Sequence, residues 1–98
     1  MKFSDIIFKP HPYAGWKSRT FFPNGFELSV VAGESMYCSP RKNLESPYDY
    51  ECYEIAVFDS DGEFCTKQFL GDGYADDVLG WQTREEIESL MKTISEHV

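Results

Sequence analysis

One amphipathic helix, and only one, can be read from this chain, and that limits its fold more than any other feature. Ile87, Leu90, Met91, Ile94 and Val98 recur at spacings of 3, 4, 7 and 11 from Ile87, a single apolar stripe running through residues 83–97. Thr83 stands just ahead of the stripe, where its hydroxyl can cap the first turn. Glu86, three residues on, can reach back to complete a capping box. Arg84, Glu88, Lys92 and Ser95 fall on other faces. Glu88 precedes Lys92 by four, the orientation that favours an ion pair of about 0.2–0.5 kcal/mol. With no second helix to form a layer, the stripe predicts contact with a sheet that needs it to bury an inner face.

Four segments supply that sheet. Residues 17–22 (KSRTFF) run into Pro23-Asn24-Gly25 and return as 26–31 (FELSVV). Pro, Asn and Gly suit the successive positions of a three-residue hairpin loop, which sets Phe22 opposite Phe26. Phe26, Leu28 and Val30 share one face, with Glu27 and Ser29 on the other. Residues 50–58 (YECYEIAVF) form the longest strand candidate, with Tyr53, Ile55 and Val57 facing the core. Ser60-Asp61-Gly62 then turns the chain, and 64–70 (FCTKQFL) is expected to return as a strand with Phe64 opposite Phe58. That register sets Lys67 against Ile55, an awkward neighbour on a core face. A fifth strand is expected if residues 3–9 pair. Residues 32–49 read as a long irregular connection, and Val78, Leu79 and Trp81 are expected to tuck under the helix. The expected fold is α+β: one domain over 1–98, a small antiparallel meander of four to five strands with the C-terminal helix packed on one face.

Composition narrows the functional classes. Apolar residues make up 42% and aromatics 16%, too many for a disordered chain. No apolar run approaches the roughly 18–20 residues needed to span a bilayer, and the N-terminal apolar patch is shorter than a secretory signal requires. A cytoplasmic setting, with no membrane contact, follows as the expectation. Cys38, Cys52 and Cys65 are odd in number and lack a CxxC pair, which predicts reduced thiols and no zinc site. His11 and His97 are the only imidazoles, and nothing in the sequence places either beside a cysteine. The net charge is −8 and uneven: residues 1–23 carry four bases and one acid, and residues 24–98 carry 16 acids and five bases. An acid-rich body predicts no direct nucleic-acid binding and favours a partner with a basic surface.

Several constellations have a plainer reading than the chemistry they suggest. Asp59-Ser60-Asp61-Gly62-Glu63 has its glycine at the wrong position for a calcium loop and strands rather than helices beside it, so it reads as a turn. Gly71-Asp72-Gly73 lacks the Gly-Lys-Ser/Thr ending of a phosphate loop. Asp72, Asp76 and Asp77 crowd one loop without a histidine nearby, and charge just ahead of a helix is itself favourable. No metal, cofactor or catalytic set is expected. Aromatics and arginine do form contact anchors in protein interfaces, and Tyr37, Arg41 and Tyr48 lie in the long connection.

The order of these blocks resembles a group of small uncharacterised bacteriophage and prophage proteins. The blocks are Pro23-Asn24-Gly25-Phe26 with Ser29-Val30-Val31, then Tyr53-Glu54-Ile55-Ala56-Val57-Phe58-Asp59-Ser60-Asp61-Gly62, then Asp77-Val78-Leu79-Gly80-Trp81 with Thr83 and Glu85-Glu86-Ile87. The resemblance covers roughly residues 20–95 and departs in the first 16 residues and in the loop at 34–49. It implies a phage or prophage origin and a bacterial host cytoplasm, and it transfers no activity. The expectation is a non-enzymatic accessory protein that binds and modulates a host protein of a defence or nucleic-acid-processing system, as an inhibitor or DNA mimic. The alternative is a small virion-associated or structural protein acting through self-association. Two contact surfaces compete: an acidic one with Asp72, Asp76, Asp77, Glu85 and Glu88, and the loop with Tyr37, Arg41 and Tyr48.

Overall fold

The computed structural model describes residues 2–12, 14–70 and 78–97. Five strands, β1 (Lys9–Pro10), β2 (Trp16–Phe21), β3 (Glu27–Ala32), β4 (Cys52–Phe58) and β5 (Val78–Thr83), form one sheet in sequential order, each antiparallel to its neighbour. A short helix α1 (Thr66–Leu70) lies between β4 and β5, and α2 (Arg84–Ser95) follows β5 directly. This is the small α+β meander with a C-terminal helix that the sequence pattern predicts.

Alternation decides which face of the sheet is buried. Leu28, Val30, Tyr53, Ile55 and Val57 point inward and are at most 1% exposed, together with Ile87, Met91 and Ile94 of α2. Burying such side chains stabilises by about 1.5–3 kcal/mol each. Thr83 caps α2 as expected: its Oγ1 accepts the Glu86 N–H, and the Glu86 carboxylate accepts the Thr83 N–H. The first hairpin also forms in the expected register. Phe22 N–H donates to Phe26 O at 2.8 Å, and Gly25 closes the loop at φ +96°, where a side chain would be strained. Asn24 on that hairpin donates its amide to Ile94 O and His97 O, which satisfies carbonyls at the end of α2 and locks sheet to helix.

Four expectations are corrected. Residues 64–70 do not return as a strand. Phe58 and Phe64 do pair, with ring centroids 4.6 Å apart, but the ladder ends there. Cys65 N–H donates to Val57 O, Thr66 Oγ1 accepts from Val57 N–H, and the chain then winds into α1. The awkward Lys67 register never forms, and Leu79 of β5 stands opposite Ile55 instead. The segment containing Val78, Leu79 and Trp81 is therefore a strand, and Trp81 is 54% exposed rather than tucked under the helix. At the N-terminus, residues 3–9 pair only through Lys9, with Phe3–Asp5 forming a 3-10 turn. Lastly, the Glu88 carboxylate does not pair with Lys92. It accepts the Phe3 N–H at 2.6 Å, a bond that ties the N-terminal turn to α2.

Candidate functional site

The outer face of the sheet is built by exceptions to alternation. β4 and β5 slip register between Tyr53↔Gln82 and Ile55↔Leu79, so Gly80 and Trp81 both lie against Glu54. This is a β-bulge, a device that re-aims a side chain and increases local twist. Trp81 adopts φ 53°, in the left-handed region, which costs a non-glycine residue about 1–2 kcal/mol. Its N–H donates to Tyr37 O at 2.9 Å.

Tyr37 is held from three sides. Its N–H donates to Glu54 Oε1 at 3.2 Å, its carbonyl takes the Trp81 N–H, and its Cβ sits directly over Gly80. A Cβ placed on Gly80 would come within 2.5 Å of the Tyr37 Cβ, so the close approach requires glycine. The loop behind Tyr37 is pinned by Cys38, whose thiol donates to Gly33 O at 3.1 Å and accepts from Gly33 N. A backbone bridge joins Ser39 to Cys52.

The result is a ladder of three side chains on the surface. The Tyr37 and Trp81 rings lie 5.4 Å apart at 37°, and the Arg41 guanidinium carbon lies 5.5 Å from the Tyr37 centroid. Tyr37 is 47% and Trp81 54% exposed. Trp, Tyr and Arg are the residue types most enriched among interface anchors. Sequence reading named Tyr37 and Arg41 but missed Trp81. The available signal was Gly80, a glycine interrupting a strand-like run, which marks bulges.

Tyr48 belongs elsewhere. Its hydroxyl donates to Ile6 O at 2.6 Å, and its ring meets Phe3 and Phe8 edge-on. It clamps the N-terminal segment, apart from Tyr37 and Arg41, while its side chain stays 42% exposed. Among the acidic candidates, Asp72, Asp76 and Asp77 lie outside the described residues. Glu85 is exposed on the first turn of α2, whereas Glu88 is engaged by Phe3 N–H.

The cysteines are free thiols, Cys38 buried and Cys52 and Cys65 half-buried. Only Cys52 is on a strand. Burial pushes all three above the ordinary 9.0, which disfavours the nucleophilic thiolate. The His97 ring packs edge-on against Phe26 and Phe69. Among the described residues no three His, Cys, Asp or Glu side chains gather as a metal site would require, and no helix is long and apolar enough to cross a membrane. No family model, curated protein or solved structure matches the chain.

Proposed function

We propose that this chain is a non-enzymatic phage or prophage accessory protein that binds and modulates a host protein of a defence or nucleic-acid-processing system, with Tyr37, Arg41 and Trp81 as its contact. The observation that carries the contact is the exposed aromatic ladder, held in place by a strained bulge and a loop bonded to it. Backbone strain held at an exposed position is a feature of functional segments. The phage setting rests on the block resemblance alone. Of the two competing surfaces, the loop is favoured over the acidic one, because Tyr37 and Arg41 join Trp81 in one exposed ladder.

The test is affinity capture from a bacterial host lysate with wild type and Trp81→Ala side by side, then titration of the purified captured protein. Removing a central anchor costs 2 kcal/mol or more, about thirtyfold in affinity. A partner held equally by wild type, Trp81→Ala and Tyr37→Ala, yet lost on Glu85→Lys, would move the contact to the acidic surface and restore the DNA-mimic version. Capture of the chain by itself alone would favour self-association.

A further inference from the structure

A second exposed region differs from the ladder in chemistry. On the outer face, Lys17, Arg19 and Phe21 of β2 stand in line, and Lys9 of β1 lies directly opposite Lys17. Like charges directly opposite one another destabilise a sheet. Among the described residues neither lysine has a carboxylate within ion-pair distance, although the chain carries 17 acids. Protection of an exposed edge accounts for Lys9 and Pro10, since β1 is the edge strand. It does not account for Lys17, which is paired on both sides, with Lys9 of β1 and Val31 of β3.

Two adjoining hollows run along β2 and share Lys17, Ser18 and Arg19. One, of about 410 Å³, is walled by Ile7, Lys9 and Phe21. The other, of about 310 Å³, extends over β3 toward Val31 and Phe58. Glu27 lies in the second, but both its oxygens are taken by Arg19. The trough therefore keeps a net positive charge from Lys9 and Lys17. Phe21 is 67% exposed with the Arg19 guanidinium 5.5 Å from its centroid. Along the same row of the sheet, Phe58 packs on Phe64, which is 49% exposed. α2, with the acids Glu85, Glu86 and Glu88, covers the opposite face, so the whole-chain balance of −8 does not describe this one.

Cations along an open sheet with exposed rings at one end of their row match the phosphates and bases of an unpaired strand. We propose that the β1–β2 trough binds a short single-stranded nucleic acid, with Lys9 and Lys17 on phosphates and Phe21 stacking a base. The inference is independent of the Tyr37–Trp81 contact and departs from the expectation that the acidic chain avoids nucleic acid.

The test is fluorescence anisotropy of labelled twelve-nucleotide oligo-dT and oligo-U at low salt. Saturable binding to either is expected. With two phosphates engaged, the slope of log K against log salt should be about −1.4, from roughly −0.7 per phosphate on single strands. Lys17→Glu should weaken binding about tenfold or more, and Phe21→Ala about fivefold or more. Trp81→Ala should leave binding unchanged, which separates this site from the proposed protein contact. Circular dichroism of each variant verifies that the fold is retained. Absence of binding to both oligonucleotides, equal binding of a duplex of the same length, equal competition by polyglutamate, or indifference to both Lys17→Glu and Phe21→Ala would overturn the proposal.

Discussion

The two faces of the sheet obey different rules. On the inner face the alternate residues of β3 and β4 are apolar, α2 lies across it, and Leu28, Val30, Tyr53 and Val57 are fully buried. On the outer face Glu27 and Glu54 alternate with Ser29, Val31 and Ala56, and the strongest structural event is a bulge that turns Trp81 into solvent. Stability lives in the periodic face. The Tyr37 and Trp81 rings and the cations Lys9 and Lys17 lie on the other face. A sheet with one helical cover can vary its second face with little loss of stability, because few core contacts depend on it.

That contrast can be broken by mutation. Leu90→Ala, which removes a buried side chain of α2, should cost about 2–5 kcal/mol in denaturant unfolding. A midpoint within error of wild type would mean that α2 does not support the inner face. Gly80→Ala comes next, at about 1–3 kcal/mol, because its Cβ would overlap Tyr37. It should also separate the two rings, visible as altered Trp81 fluorescence. Thr83→Ala should cost about 1 kcal/mol by removing one half of the capping box.

The smallest effect is a pH dependence. Burial raises the Cys38, Cys52 and Cys65 thiols above 9.0 and the Tyr50 and Tyr53 phenols above 10.0. In each case the folded state holds its proton more tightly than the unfolded chain. The stability they contribute is fully present below the unfolded values and is lost as pH rises through the folded ones. Thermal midpoints should not respond to these groups at neutral pH and should decline above about pH 9. A midpoint that rises from pH 8 to pH 10 would show that these groups are not buried as described.

The inner face was legible in the sequence and the outer face was not, for physical reasons. Thr83 with Glu86, the stripe from Ile87 to Ile94, and Pro23-Asn24-Gly25 are local signals, each complete within a few residues. The fate of 64–70 was not local. A seven-residue run with two aromatics fits a strand or a helical turn equally well. It was settled by Thr66 taking the Val57 N–H and by β5 occupying the remaining edge of β4. Trp81 was misplaced because a bulge reverses the facing of the residues beyond it, and only Gly80 hinted at one. Nothing in the sequence shows that Ile6 O and Phe3 N–H, more than forty and eighty residues away, bond to Tyr48 and Glu88.

The most direct test of the division between the two faces is Trp81→Ala measured twice, by denaturant unfolding and by titration against the purified captured partner. Stability should stay within about 1 kcal/mol of wild type, since the lost ring contact is offset in part by a smaller side chain at a left-handed position. Partner affinity should fall by at least about thirtyfold. A loss of about 3 kcal/mol or more in stability, with affinity retained by the folded fraction, would show that Trp81 serves the fold and that the outer face is not the contact.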